Sequence, residues 1–110
     1  MNLKEQYLTI AREQIEKLGA VQKVVLSSTI TGYKTLVNGF IISTTYVPFK
    51  TESPCVAVFF EAMHPITKAR YTHSAHITSA SDMRISIEAG LNNVIEKASK
   101  SPKDNQKMMF

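Results

Sequence analysis

With 110 residues, 44% of them hydrophobic and 20% charged, the chain fits a single domain with one core and is too apolar to be disordered throughout. The lone Cys55 excludes an internal disulfide. No run nears the roughly 20 apolar residues that span a bilayer, and the polar, mixed-charge N-terminal stretch does not read as a secretory leader.

A cytoplasmic location without membrane contact is the expectation from these totals, and Cys55, set in the apolar run SPCVAVFF, reads as a structural thiol. The formal charge of +4 makes polyanions reasonable partners without defining one. Its excess lies in the middle of the chain. Between residues 20 and 81 the cations Lys23, Lys34, Lys50, Lys68 and Arg70 meet only Glu52 and Glu61, whereas residues 1 to 19 balance to zero.

The first segment, NLKEQYLTIAREQIEKLG, places Leu3, Tyr7, Ile10, Ala11, Ile15 and Leu18 at three- and four-residue spacings, one face of an amphipathic helix. Asn2 suits its N-cap, Glu5 the reciprocal capping position, and Gly19 a left-handed stop. Glu13 and Lys17 form a favourable pair on the outer face. From Val21 onward β-branched residues dominate and the helical period vanishes. Four strands are expected: Val21 to Thr31, Leu36 to Val47, Cys55 to Met63 and Ala69 to Thr78. Turns are expected at Gly32 to Lys34, across VPFKTESP, and at HPIT. Links this short join neighbouring antiparallel strands, so the strands should form a meander.

Ser79 and Asp82 repeat the capping pattern, and Met83, Ile87, Leu91, Val94, Ile95 and Ala98 then form an apolar stripe, with Glu96 and Lys100 paired on the wet face. This second helix should end near Ser101, because Pro102 opposes continuation. Gly90 in its middle costs about 1 kcal/mol relative to alanine, which fits either close approach to the sheet or simple tolerance. The fold class is α+β: an N-terminal helix, a four-stranded antiparallel meander sheet and a C-terminal helix, both helices on one face. Residues 1–101 form the single domain and 102–110 a flexible C-terminal tail, whose apolar KMMF end suits docking into a groove or has no role.

All three histidines fall in EAMHPITKARYTHSAHI, beside Glu61, Lys68, Arg70 and Tyr71. Strand alternation sends His73 and His76 to opposite faces, and His64 lies across a turn, so the three do not converge as metal ligands must. Glu61 and His64 could form an acid/base pair, but no spacing fixes a nucleophile, base and orienting group together. The four glycines are scattered, with no phosphate-cradling loop. No catalytic residue, metal ligand or cofactor is assigned, and the protein reads as a non-enzyme.

The helix-covered face is expected to hold Val24, Leu26 and Ile30, then Val56, Val58, Phe60 and Ala62, then Tyr71, Ala75 and Ile77. The opposite face would carry Lys23, Val25, Ser27, Thr29 and Thr31, then Cys55, Ala57, Phe59, Glu61 and Met63, then Arg70, Thr72, Ser74, His76 and Thr78. The second strand is apolar on both parities, Leu36, Phe40, Ile42 and Tyr46 against Val37, Ile41 and Val47, which predicts cover on both sides. Helices on one side leave the other bare, so its apolar residues need a second copy of the chain or a ligand. An open sheet with Phe59, and Phe40 or Tyr46 if they face that way, beside cations suits single-stranded nucleic acid, each stacked base adding about 1 to 3 kcal/mol.

The order helix, strands, helix resembles in layout the double-stranded-RNA-binding domains, and the late hairpin followed by a helix is loosely similar to single-strand annealing proteins. The second helix, SDMRISIEAGLNNVIEKASK, lacks the initial lysine cluster of the former, and no residue is carried over from either family. The expected function is that of a small, basic, non-catalytic protein that forms a homodimer or higher homo-oligomer through its sheet. It would bind nucleic acid, single-stranded or RNA, through Lys23, Lys34, Lys68, Arg70, His76 and Phe59. The alternative is a protein-interaction module or small inhibitor, such as viruses and plasmids encode, holding a protein partner by a sheet edge or face.

Overall fold

The computed structural model describes residues 3–27, 30–48 and 56–108. Helix α1 (Leu3–Leu18) leads into β1 (Gln22–Val25), β2 (Thr31–Val37), β3 (Phe40–Pro48), β4 (Val56–Met63) and β5 (Arg70–Ile77). A 3₁₀ turn, Ala80–Asp82, then opens α2 (Met83–Met108). The strands form one antiparallel sheet in chain order, a meander as the short links require. The N-cap expected at Asn2, the loop after Pro48, Cys55 and the last two residues of the chain lie outside the described residues.

Five strands stand where four were expected, because two turns differ. Gly32, Tyr33 and Lys34 are not a turn but the centre of β2, paired with both β1 and β3. Gly32 is needed for closeness: a Cβ there would collide with the backbone carbonyl of Thr44 on the neighbouring strand. The real turn into β2 lies around Leu26 to Ile30, where Leu26 N donates to Ile30 O at 3.0 Å and Ile30 N to Ser27 Oγ at 3.1 Å. The expected second strand is cut by Asn38 and Gly39, whose φ values of 50° and 86° make a two-residue hairpin between the paired Val37 and Phe40. Asn-Gly is the strongest short hairpin signal, since both positions need positive φ to match the strand twist.

Both helices cover the same face of the sheet and share one core. Tyr7, Ala11 and Ile15 from α1 and Met83, Ile87, Leu91, Val94 and Ala98 from α2 pack over Phe40, Ile42, Tyr46, Val58, Phe60, Ala62 and Ile77. Glu13 reaches across to Arg84 of α2 at 2.9 Å rather than along its own helix to Lys17, which ties the two helices at the surface. The Glu96–Lys100 pair forms as the spacing predicts, at 2.8 Å.

Gly90 answers its own question: a Cβ would overlap the ring of the buried Phe60, so the glycine lets α2 lie directly on β4. Gly19 also marks a close approach, with a Cβ position 2.7 Å from Thr35 Oγ1. It is not the left-handed stop expected of it, as Gly39 is the positive-φ glycine among the described residues. The helical backbone of α2 continues past Ser101 and Pro102 to Met108.

Candidate binding surface

The registers decide which residues share the uncovered face. Val24, Gly32, Thr45, Phe59 and Ser74 lie abreast in one row across the sheet, and Lys34, Ser43, Glu61 and Thr72 in another. Leu36, Ile41, Met63 and Arg70 form a third row toward the β2–β3 turn, and Val47, Ala57 and His76 a fourth at the other end. These positions alternate with the core residues Phe40, Ile42, Tyr46, Val58, Phe60 and Ala62, so none of them meets the helices.

The first row carries a correction. Val24, Leu26 and Ile30 were expected under the helices, but Val24 pairs with Gly32 on the uncovered side, and all three line a trough there with Ile41, Val47 and Phe59. Lys23, expected on the uncovered side, has the parity of Tyr33, Thr44 and Phe60 instead. The reason is the single turn misread at Gly32. Moving the bend from Gly32 to the segment before Ile30 reassigns the faces of the strands on either side of it.

The trough has a volume of about 450 Å³. Its apolar floor includes Ile41, Val47 and Phe59, with Met63 toward one end. Phe59 is 45% exposed, and Leu36, in the third row on β2, 62%. Charge stands on the rim. Arg70 Nε lies 2.6 Å from Glu61 Oε2, so the guanidinium and carboxylate largely offset each other, while Lys34 sits two strands from Glu61 in the same row.

Of the expected nucleic-acid contacts, Lys34, Arg70, His76 and Phe59 share this face. Lys68 sits in the β4–β5 turn with φ 65°, held by a bond from its N–H to His64 O at 2.9 Å. Phe40 and Tyr46 both belong to the core, at 6% and 5% exposed, which settles the parity of β3. Tyr46 packs 5.2 Å from the ring of Tyr7, whose hydroxyl shares a hydrogen bond with buried Thr44 at 3.2 Å. Burial pushes the Tyr7 hydroxyl far above its ordinary range, although the Thr44 bond opposes this, and burial raises Tyr46 as well.

The histidines separate as strand alternation requires. His73 lies on the covered side with its ring 6.0 Å from Phe60, and His76 on the uncovered side beside Ala57. His64 builds a turn: its Nδ1 accepts the N–H groups of Ile66 at 3.2 Å and Thr67 at 3.1 Å, and its ring stands edge-on to Phe40 at 5.3 Å. Among the described residues no group of three or more His, Cys, Asp or Glu side chains gathers where a metal could be held, and no helix is long and apolar enough to cross a membrane.

Sequence reasoning missed the hairpin of Asn38 and Gly39, for which the Asn-Gly pair was the signal, and, by placing a turn at Gly32, it missed the membership of Val24, Leu26 and Ile30 in the trough. The chain matches no protein-family model, no curated protein and no solved structure.

Proposed function

We propose that the protein is a non-catalytic binding module that associates with a second copy of itself, face to face, through the uncovered side of its sheet. The observation that carries this reading is the apolar set Val24, Leu26, Ile30, Leu36, Ile41, Val47, Phe59 and Met63 on a face that neither helix covers. Contiguous apolar surface of this kind is a mark of an interaction site.

Charge and area favour a second copy as the occupant. Lys34, Ser43 and Glu61 lie abreast on β2, β3 and β4. A two-fold axis running along β3 at Ser43 would set each Lys34 against the partner's Glu61, the self-complementarity that an isologous contact needs. Five strands about 4.8 Å apart and about seven residues of about 3.3 Å give roughly 500 Å² of face. Two copies would bury roughly 1,000 Å², the lower limit of a specific interface. A reversible, concentration-dependent dimer is the expected form.

Sedimentation equilibrium over a wide concentration range tests this, with Phe59→Asp as the variant. The native chain should dimerise and the variant should stay monomeric with an unchanged circular dichroism spectrum. A native chain that stays monomeric at every concentration defeats the reading.

A second reading, binding of single-stranded nucleic acid or RNA, is favoured by the sharing of one face by Phe59, Lys34, Arg70 and His76. It ranks lower because Phe40 and Tyr46 are in the core and Glu61 offsets Arg70. Phosphate contacts release counterions, so affinity should fall steeply with salt. Absence of binding at low salt ends that reading.

A further inference from the structure

A second concavity lies on the other side of the molecule, at the β2–β3 hairpin. Its walls are Val37 and Asn38 from the hairpin, Phe40 and Ile42 from β3, and Ile95, Ala98 and Ser99 from α2, and His64 stands at one side. The volume is about 400 Å³, within the roughly 300 to 1,000 Å³ common for small-molecule sites. Its deep surface is core: Ile42 is fully buried, Ala98 3% exposed and Phe40 6% exposed. Among the described lining residues the polar side chains are Asn38, Ser99 and His64.

His64 gives this notch a defined polarity. Two backbone N–H groups donate to Nδ1, so that nitrogen carries no proton, and the ring's proton sits on Nε2. The bonds to the turn and the edge-on contact with Phe40 hold the ring in place. Nε2 lies at the Asn38–Gly39 turn, 3.9 Å from where a Cβ of Gly39 would stand, and no described residue bonds it. The result is one fixed N–H donor beside an apolar recess. Sites of that composition orient a ligand by a single polar contact while burying its apolar body.

We infer that this notch is a binding site for a small, uncharged apolar molecule that carries one hydrogen-bond acceptor, a carbonyl or ether oxygen, held by Nε2–H of His64. The charge of the ligand follows from the described lining residues, among which there is no cation or carboxylate. The inference is independent of self-association, because the notch and the trough share none of their described lining residues.

The test is nuclear magnetic resonance titration of the full chain with two probes of similar size, acetophenone, which has an acceptor, and ethylbenzene, which has none. Acetophenone should saturate shifts of the Val37 and Ile95 methyl groups and of the His64 ring nitrogens. It should bind roughly 3- to 10-fold tighter than ethylbenzene, the preference that one net hydrogen bond gives. In His64→Asn the side-chain oxygen can still accept from the turn, as Asn does in such turns, but the ring donor is gone. This variant should keep its fold and lose the preference. Failure of acetophenone to saturate, shifts centred on Phe59 and Met63 instead, or a preference that survives in His64→Asn would each overturn the proposal.

Discussion

Phe59 and Phe60 are neighbours in the chain with opposite environments: Phe60 is 1% exposed beneath α2 and Phe59 is 45% exposed on the bare side of the same strand. The contrast extends over the sheet. On the covered face the core residues of β3 and β4 lie under the helices, and the fit is close enough that Gly90 admits no Cβ over Phe60. On the uncovered face apolar groups are spaced by Ser43, Thr45 and the Glu61–Arg70 pair, with β3 half-buried and Phe59 exposed. One face specifies the fold, and the other has spare apolar surface that folding does not use.

The comparison breaks most sharply at the phenylalanine pair. Phe60→Ala should cost about 3 to 5 kcal/mol, as buried aromatics do, whereas Phe59→Ala should cost under about 1.5 kcal/mol and weaken self-association instead. Chemical denaturation of both variants beside the native chain measures this, and equal losses would mean the two faces are equally packed. Next in size is Gly90→Ala. An exposed helical glycine gains about 1 kcal/mol from alanine, but the clash with Phe60 should reverse the sign and destabilise by about 1 to 3 kcal/mol. A gain in thermal stability would show that the ring of Phe60 yields to the added methyl group.

Tyr7→Phe removes a hydroxyl bonded to buried Thr44 and should cost about 1 to 2 kcal/mol near neutral pH. Alkaline titration sharpens it. The folded state holds the Tyr7 proton more tightly than the unfolded state, so the native chain's stability is full below an unfolded tyrosine's value of about 10 and falls as pH rises beyond it. The fall should be shallower in Tyr7→Phe, and unfolding curves taken between pH 8 and pH 11, roughly bracketing that value, give the slopes.

The smallest effects belong to the uncovered face. Lys34→Glu and Glu61→Lys should each change folding stability by less than about 1 kcal/mol, being exposed or half-exposed charges. Each alone should weaken the dimer, and the double exchange should restore it by reinstating opposite charges across the two-fold. Additive losses in the double variant would exclude that axis.

Much of this was legible in the chain itself. The apolar stripes of α1 and α2 contain the buried Tyr7, Ala11, Ile15, Met83, Ile87, Leu91, Val94 and Ala98, because a helical period of 3.6 residues depends only on local geometry, whereas the buried Gln14 lies outside them. Alternation in β4 and β5 also placed Phe59, Phe60, His73 and His76 on their true faces. The strand before them was misread, since β2 and β3 are apolar on both parities and alternation has nothing to grip. Attention to Asn38–Gly39 would have set that register; Gly32 misled because its glycine serves strand contact rather than a bend. That Lys34, Arg70, His76 and Phe59 share one face was legible from alternation for all but Lys34, whereas the contact of Glu61 with Arg70 and the place of Val24, Leu26 and Ile30 along the trough depend on the register.

By itself the sequence determined the class of the fold, the two helices and which of their sides is buried, because these follow from short-range periodicity and composition. Tertiary structure alone decided that Phe40 and Tyr46 go inward, that Gly90 must be glycine, and that His64 fixes a turn with one nitrogen and presents the other to an apolar notch. Apart from the local bonds of His64 to its own turn, those facts depend on contacts between residues far apart in the chain, where the choice is made by which surfaces exclude water together.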